Sequence, residues 1–191
     1  MEEIYYVKIK GVKPLLMHNP VGNINNIPTR RRSEILDSKV EAERYLYKDE
    51  DGRICIPAYI MKACIRNAGR NYRVRQRYST YASMIRAGID VEPEYIPLIH
   101  NGWKVDVRIV VVNRNRILRA RPRFDVWGLE FFIRNNDPNI LKFDILKKIV
   151  VDAGKYYGIG DYRPEFGLFE VLEFKKVDRG EAYENQDNYR R

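Results

Sequence analysis

The sequence predicts an α+β domain: a four-stranded antiparallel sheet with two helices on one face. Three observations predict it. The first segment alternates as a strand should, two later stretches carry helical apolar stripes, and the regular elements follow one another as βαββαβ, the ferredoxin-like order.

The elements follow in order. In residues 3–10, Tyr5, Val7 and Ile9 fall on one face and Ile4, Tyr6, Lys8 and Lys10 on the other, the period of a half-buried strand. Residues 11–30 hold Gly11, Pro14, Pro20, Gly22 and Pro28 and read as a long loop. Residues 33–47 read as a helix capped by Ser33, and Arg53–Ile56 as a short strand after the turn at 49–52. Pro57 suits the start of a helix over 58–68, which Gly69 closes. Residues 70–78 read as basic loop, 79–87 as a short helix, and 88–99 as extended pieces broken by Pro93 and Pro97. Strands are expected at 103–112 and 124–134, a helix at 142–157 with Ile145, Leu146, Ile149, Val150, Ala153 and Tyr156 or Tyr157 on one side, and a last strand at 168–177. The predicted core strands are 3–10, 103–112, 124–134 and 168–177. A single RRM-like domain then spans 1–177, with insertions at 11–57 and 70–102 and a polar, flexible tail at 178–191. The sheet face without helices is expected to be open to a ligand.

Composition narrows the function. With 191 residues and 45% hydrophobic side chains, the chain can bury a core. No apolar run reaches the ~20 residues of a membrane span. The opening MEEIYYVKIK is no signal peptide, so a cytoplasmic protein with no membrane partner is expected. Cys55 and Cys64 form no CxxC or Cys/His cluster, so both are expected in the core, with no metal and no cofactor. The net charge of +9 is local. Residues 66–81 carry five Arg and no acid, and residues 101–124 carry seven basic residues and one acid, which leaves the remainder slightly acidic. Arginine-rich patches on a near-neutral body are the pattern of a polyanion binder.

Three segments carry the candidate binding residues. In 113–125, Arg114 and Arg116, then Arg119, Arg121 and Arg123, recur two apart. In a strand such residues share a face at about 6.6 Å spacing, which suits a row of phosphates. The change of parity at Ile117–Leu118 predicts a turn or bulge, hence a basic hairpin projecting from the sheet; a charged edge strand is the alternative. In 66–81, Arg66, Arg70, Arg73, Arg75 and Arg77 interleave with Tyr72, Tyr78 and Tyr81, which suits a backbone groove with stacking platforms. The tyrosines could equally dock on the body. Arg30–Arg32 form a third basic cluster. In GIGDYRPEFGLFEV (158–171), Gly158, Gly160 and Gly167 would let backbone meet a sugar-phosphate chain, while Tyr162 and Arg163 add a stacking face and a charge; the alternative is a mobile helix-to-strand loop in which Gly158 is only a C-cap.

The segments GVKPLLMHNP (11–20) and DEDGRICIPAYIMKACIRNAGR (49–70), with the glycine loop before the last strand, resemble the RAMP superfamily of CRISPR-associated proteins. In the second segment Ile56, Pro57, Lys62, Ala63 and Arg66 fill the family's places, although Ala58–Tyr59 stands where many members have Gly-Ser. The chain is also similar to small stand-alone proteins of phages and archaeal mobile elements, which share PLLMHNP and the RPRF…IGDYRPxFG pair. The resemblance implies binding of single-stranded RNA or DNA, mainly through phosphates and with little sequence preference. It also implies further copies of the chain aligned along one strand, in a CRISPR-type antiviral complex or a mobile-element ribonucleoprotein. RAMP processing nucleases cleave RNA without metal using a histidine, so His18 is the candidate base of an alternative function, a metal-independent endoribonuclease. A third reading is a viral structural or adaptor protein whose basic patches meet an acidic partner.

Overall fold

The computed structural model describes residues 2–20, 37–74, 79–112 and 114–178. The predicted Ser33 cap, the Arg30–Arg32 cluster, Arg75, Arg77, Tyr78 and nearly all of the 178–191 tail lie outside them.

The main sheet is antiparallel and ferredoxin-like. It comprises β1 (Glu3–Gly11), β4 (Ile89–Glu92), β9 (Trp127–Asn135) and β10 (Phe169–Val177) in the order β10-β1-β9-β4. β6 (Ile99–His100) continues along the β9 edge. Helices α2 (Ala58–Gly69) and α4 (Phe143–Asp152) cover one face. The alternation of β1 decides which side is which. Tyr5, Val7 and Ile9 enter the core with Met61 and Ile65 of α2 and Leu146, Ile149 and Val150 of α4. Ile4 turns the other way, into a small cluster with Phe132 and Val177.

Two strand assignments change. The second core strand is the four-residue β4, inside the stretch read as an insertion, not 103–112. That segment is β7 (Lys104–Val112), which leaves the sheet and pairs along its whole length with β8 (Asn115–Phe124). The chain then bends at Asp125–Val126 before entering β9. The expected projecting hairpin is therefore present, but its turn lies between Val112 and Asn115, where Arg114 holds φ +66°. Pairing runs unbroken through Ile117–Leu118, so no bulge stands there.

β2 (Leu15–Leu16) adds to β8 opposite Phe124 and Arg123 and ties the hairpin to the body. α1 (Ser38–Arg44), capped by Asp37, whose carboxylate accepts from Lys39 N–H at 2.9 Å, lies against β8. One face of the hairpin bears Val107, Ile109, Val111 and Leu118, each between 48% and 68% exposed. β3 (Cys55–Pro57) pairs with β5 (Tyr95–Pro97), and α3 (Tyr81–Gly88) leads into β4. α4 runs on into a π turn, Ala153–Tyr157. Cys55 and Cys64 are buried free thiols. Among the described residues no helix is long and apolar enough to cross a membrane.

Candidate nucleic-acid interface

The loop from the π turn to β10 folds onto the segment that follows β1. Gly167 N–H donates to Pro14 O at 2.8 Å, Asp161 N–H to Leu16 O at 2.8 Å, and Ile159 N–H to Gly167 O at 2.9 Å. A Cβ at Gly167 would lie 1.8 Å from Ile159 O, and one at Gly160 would lie 2.4 Å from Leu16 O; their φ values are +75° and +79°. The close approach that these glycines permit is thus of the chain to itself. Gly158 N–H is likewise engaged, by Ala153 O at 2.9 Å where the π turn ends. Outward the loop presents Tyr162, Arg163, Pro164 and Glu165, all exposed, the last 3.7 Å from Lys13.

The arginines of β8 divide by position. Arg119, Arg121 and Arg123 do share a face, but that face is turned toward α1, β2 and the glycine loop. Arg119 donates to the Tyr45 hydroxyl and lies 3.8 Å from Glu41. Arg121, 8% exposed, holds its Nε 2.9 Å from Asp161 Oδ2. Arg123 pairs with Asp125 at 2.7 Å and Asp106 at 3.5 Å. Asp106 also takes Arg108 at 2.6 Å; burial pushes its carboxyl up, yet the two arginines hold it below the ordinary carboxylate value. An open ladder of five arginines is therefore not formed. Arg114, in the turn, and Arg116, on the opposite face from Arg119, are exposed and have no ion pair among the described residues.

Asp161 links this row to His18. The imidazole stacks on Tyr45 with centroids 4.3 Å apart, its Nδ1 lies 4.0 Å from Asp161 Oδ2, and the Tyr47 hydroxyl donates to the His18 carbonyl at 3.1 Å. His18 Nδ1 and Arg121 Nη1 are buried with no hydrogen-bond partner among the described residues. Burial lowers the His18 pKa; Asp161 opposes that, and Arg121 and Arg119 add to it. A neutral imidazole beside two guanidinium groups can accept a proton, and the guanidiniums suit a phosphate.

The basic segment after α2 lies beside the π turn. Asn71 Nδ2 donates to the Tyr157 hydroxyl at 2.8 Å, and the Tyr72 hydroxyl bonds Asp152. Arg70 and Arg73 are exposed there, whereas Arg66 is half-buried. Tyr81 is 6% exposed and packs in the core, so Tyr72 and Tyr81 dock on the body and are not stacking platforms. An open cleft of about 470 Å³ lies between the π turn and the glycine loop, lined by Tyr156, Tyr157, Asp161, Tyr162, Arg163 and Pro164. Sequence reasoning singled out Tyr162 and Arg163 but missed Tyr156 and Tyr157, which helical periodicity placed on a packing stripe.

The helix-free face of the sheet is not a stacking platform either. Two of its cations are held by acids, Lys8 by Glu130 at 2.7 Å and Arg134 by Glu92 at 2.6 Å. Tyr6 packs on Phe132, which is fully buried.

No protein-family model matches the chain, and no curated protein sequence matches it. Among solved structures it is similar to a chain in the cryo-EM structure of the Type III-B Cmr-beta bound to cognate target RNA. The TM-score is 0.63 at 13% identity, over 93% of this chain and 61% of that one. The likeness is one of fold, and the present chain spans about three fifths of that neighbour's length.

Proposed function

We propose that the chain is a RAMP-type module that binds single-stranded nucleic acid. The observation that carries the reading is the gathering, at one place, of exposed aromatics and of cations that have no ion pair among the described residues. Arg70 and Arg73 flank the residues that tie to the π turn, and Arg163, Tyr162 and Tyr156 border the adjoining cleft. Arg114 and Arg116 at the hairpin tip supply a second cationic contact. The arginines left without acidic partners are the ones able to meet phosphates, since a paired guanidinium would first have to give up its carboxylate. Contacts of this kind position a strand without reading its sequence. The fold shared with a protein of an RNA-bound Cmr complex is consistent with RNA as the strand and with several copies along it.

The test is fluorescence anisotropy with single-stranded RNA, single-stranded DNA and duplex DNA over a range of salt. Binding to single strands should weaken with a log–log slope of about −0.7 per phosphate contact. Arg70→Ala with Arg73→Ala should reduce the slope by about 1.4, and Arg114→Ala with Arg116→Ala by a similar amount. Both double variants should keep their thermal stability, because exposed arginines away from packed features contribute little to it. No binding at low salt would refute the reading.

The His18 site favours one second reading, a metal-independent endoribonuclease. A neutral imidazole, able to take a 2′-OH proton, stands beside Arg121, whose Nε pairs with Asp161 while its Nη1 has no hydrogen-bond partner among the described residues and is left to meet the phosphate that this oxygen attacks. Cleavage of a hairpin RNA in the presence of EDTA, lost in His18→Ala, is the expected result. RNA left intact by the parent chain would exclude it.

A further inference from the structure

We propose that the cleft between the π turn and the glycine loop receives one unstacked nucleobase. The inference rests on the single-strand reading and goes beyond it by assigning the cleft to a base rather than to a phosphate.

The volume, about 470 Å³, falls within the range of roughly 300–1,000 Å³ occupied by small-ligand sites. Three of the six lining residues are tyrosines, beside Asp161, Arg163 and Pro164. Tyr156 is 55% exposed and Tyr162 45%, yet both line a concavity, where exposed aromatic surface is available to a planar partner. Phosphate would instead require converging donors, and the glycine-loop donors at Gly158 and Gly167 are engaged within the chain.

The walls are also held in place before any ligand arrives. The Tyr157 hydroxyl accepts from Asn71 at 2.8 Å. Tyr162 sits at φ +59°, a left-handed conformation rare for an aromatic residue, and its N–H donates to Asp161 Oδ1 at 2.9 Å. Arg108 Cζ lies 5.5 Å from the Tyr162 ring centroid and Phe166 meets that ring edge-on at 6.2 Å, so the ring is supported from the protein side. A π turn in place of a regular helix end sets Tyr156 and Tyr157, a geometry frequent at functional sites. A stacking surface that is already ordered loses little entropy on binding. Arg163 at the rim places a cation where the phosphate attached to a seated base would emerge.

The experiment compares an intact single-stranded RNA dodecamer with the same backbone carrying one abasic position at each place in turn. The full chain and its Tyr156→Ala and Tyr156→Phe variants are used. In the parent, one abasic position should weaken binding about 5- to 150-fold with an unchanged salt slope. Tyr156→Ala should lose a similar factor on the intact strand and show no further loss on the abasic one, while Tyr156→Phe should behave as the parent. If Tyr156→Ala keeps the full preference for intact over abasic RNA, the cleft is not the base site, although the single-strand reading stands. If no strand binds, that reading fails first. A titration with the four nucleoside monophosphates, followed by the Tyr156 and Tyr162 ring resonances, then decides the cleft alone. Perturbed rings support the proposal, and unperturbed rings at millimolar nucleotide overturn it.

Discussion

His18 shows how much one residue's surroundings alter its chemistry. Exposed, it would titrate near its ordinary value of 6.5; here burial, with help from Arg121 and Arg119, moves it lower. The sign of the consequence follows from linkage. In the window between the lowered folded-state value and about 6.5, the unfolded chain binds the proton more readily. The stability that this group permits is therefore present above that window and lost as pH falls through it. Urea denaturation at pH 7.5 and pH 5 should show a loss in the parent of up to about 1.4 kcal/mol per pH unit within the window. The loss should be smaller in His18→Gln, which keeps a hydrogen-bonding side chain but cannot take the charge. Equal losses in both proteins would mean that the imidazole is as easily protonated folded as unfolded. The residue was visible in the sequence as one of only two histidines. Its neighbours were not, because Tyr45, Arg121 and Asp161 reach it from three distant segments.

At the scale of elements, the glycine loop and the hairpin were each legible in kind and misread in orientation. Three glycines within ten residues signal a close backbone approach, but not to what. The answer is the turn after β1, against which Asp161 and Gly167 form hydrogen bonds. The spacing of Arg119, Arg121 and Arg123 gives a shared face, but the period cannot say which face is covered. The acids that decide it, Glu41 and Asp161, lie far away in sequence. The loop and the base of the hairpin are thus parts of one packed unit, and a crowded glycine should matter more than an open one with the same φ. Gly52 and Gly167 make the comparison, at +79° and +75°. A Cβ at Gly52 meets nothing within 4 Å, while one at Gly167 meets the Ile159 carbonyl at 1.8 Å. Gly52→Ala should cost only the left-handed penalty of about 1–2 kcal/mol. Gly167→Ala should cost that plus at least about 1–3 kcal/mol for displaced backbone. Chemical denaturation of the two variants gives the difference directly, and equal costs would show that the loop shifts freely.

For the whole molecule, the arrangement separates a doubly paired core from an appended hairpin. β1 and β9 are the inner strands, paired on both sides, and their core-facing residues, Tyr5 and Val7, Phe131 and Ile133, are fully buried. β7 is the outer strand of a small sheet whose far end exposes Val107, Ile109 and Val111. This division also explains the strand that the sequence pattern misplaced. Nine alternating residues at Lys104–Val112 announce a strand but not its partner. The true second core strand, Ile89–Glu92, is four residues long, is followed by Pro93, and is weak in local signal because β9 does most of the ordering. A strand held by a neighbour should share that neighbour's stability, and a strand held only by its own hairpin should not. Amide hydrogen exchange followed by mass spectrometry should therefore place β1 and β9 in the slowest class, with β4 close behind. The hairpin from Ile109 to Leu118 should exchange faster by orders of magnitude, through local opening that leaves the core folded. Uniform protection across hairpin and core would mean a single cooperative unit, with no conformational independence of the hairpin tip from the fold that carries it.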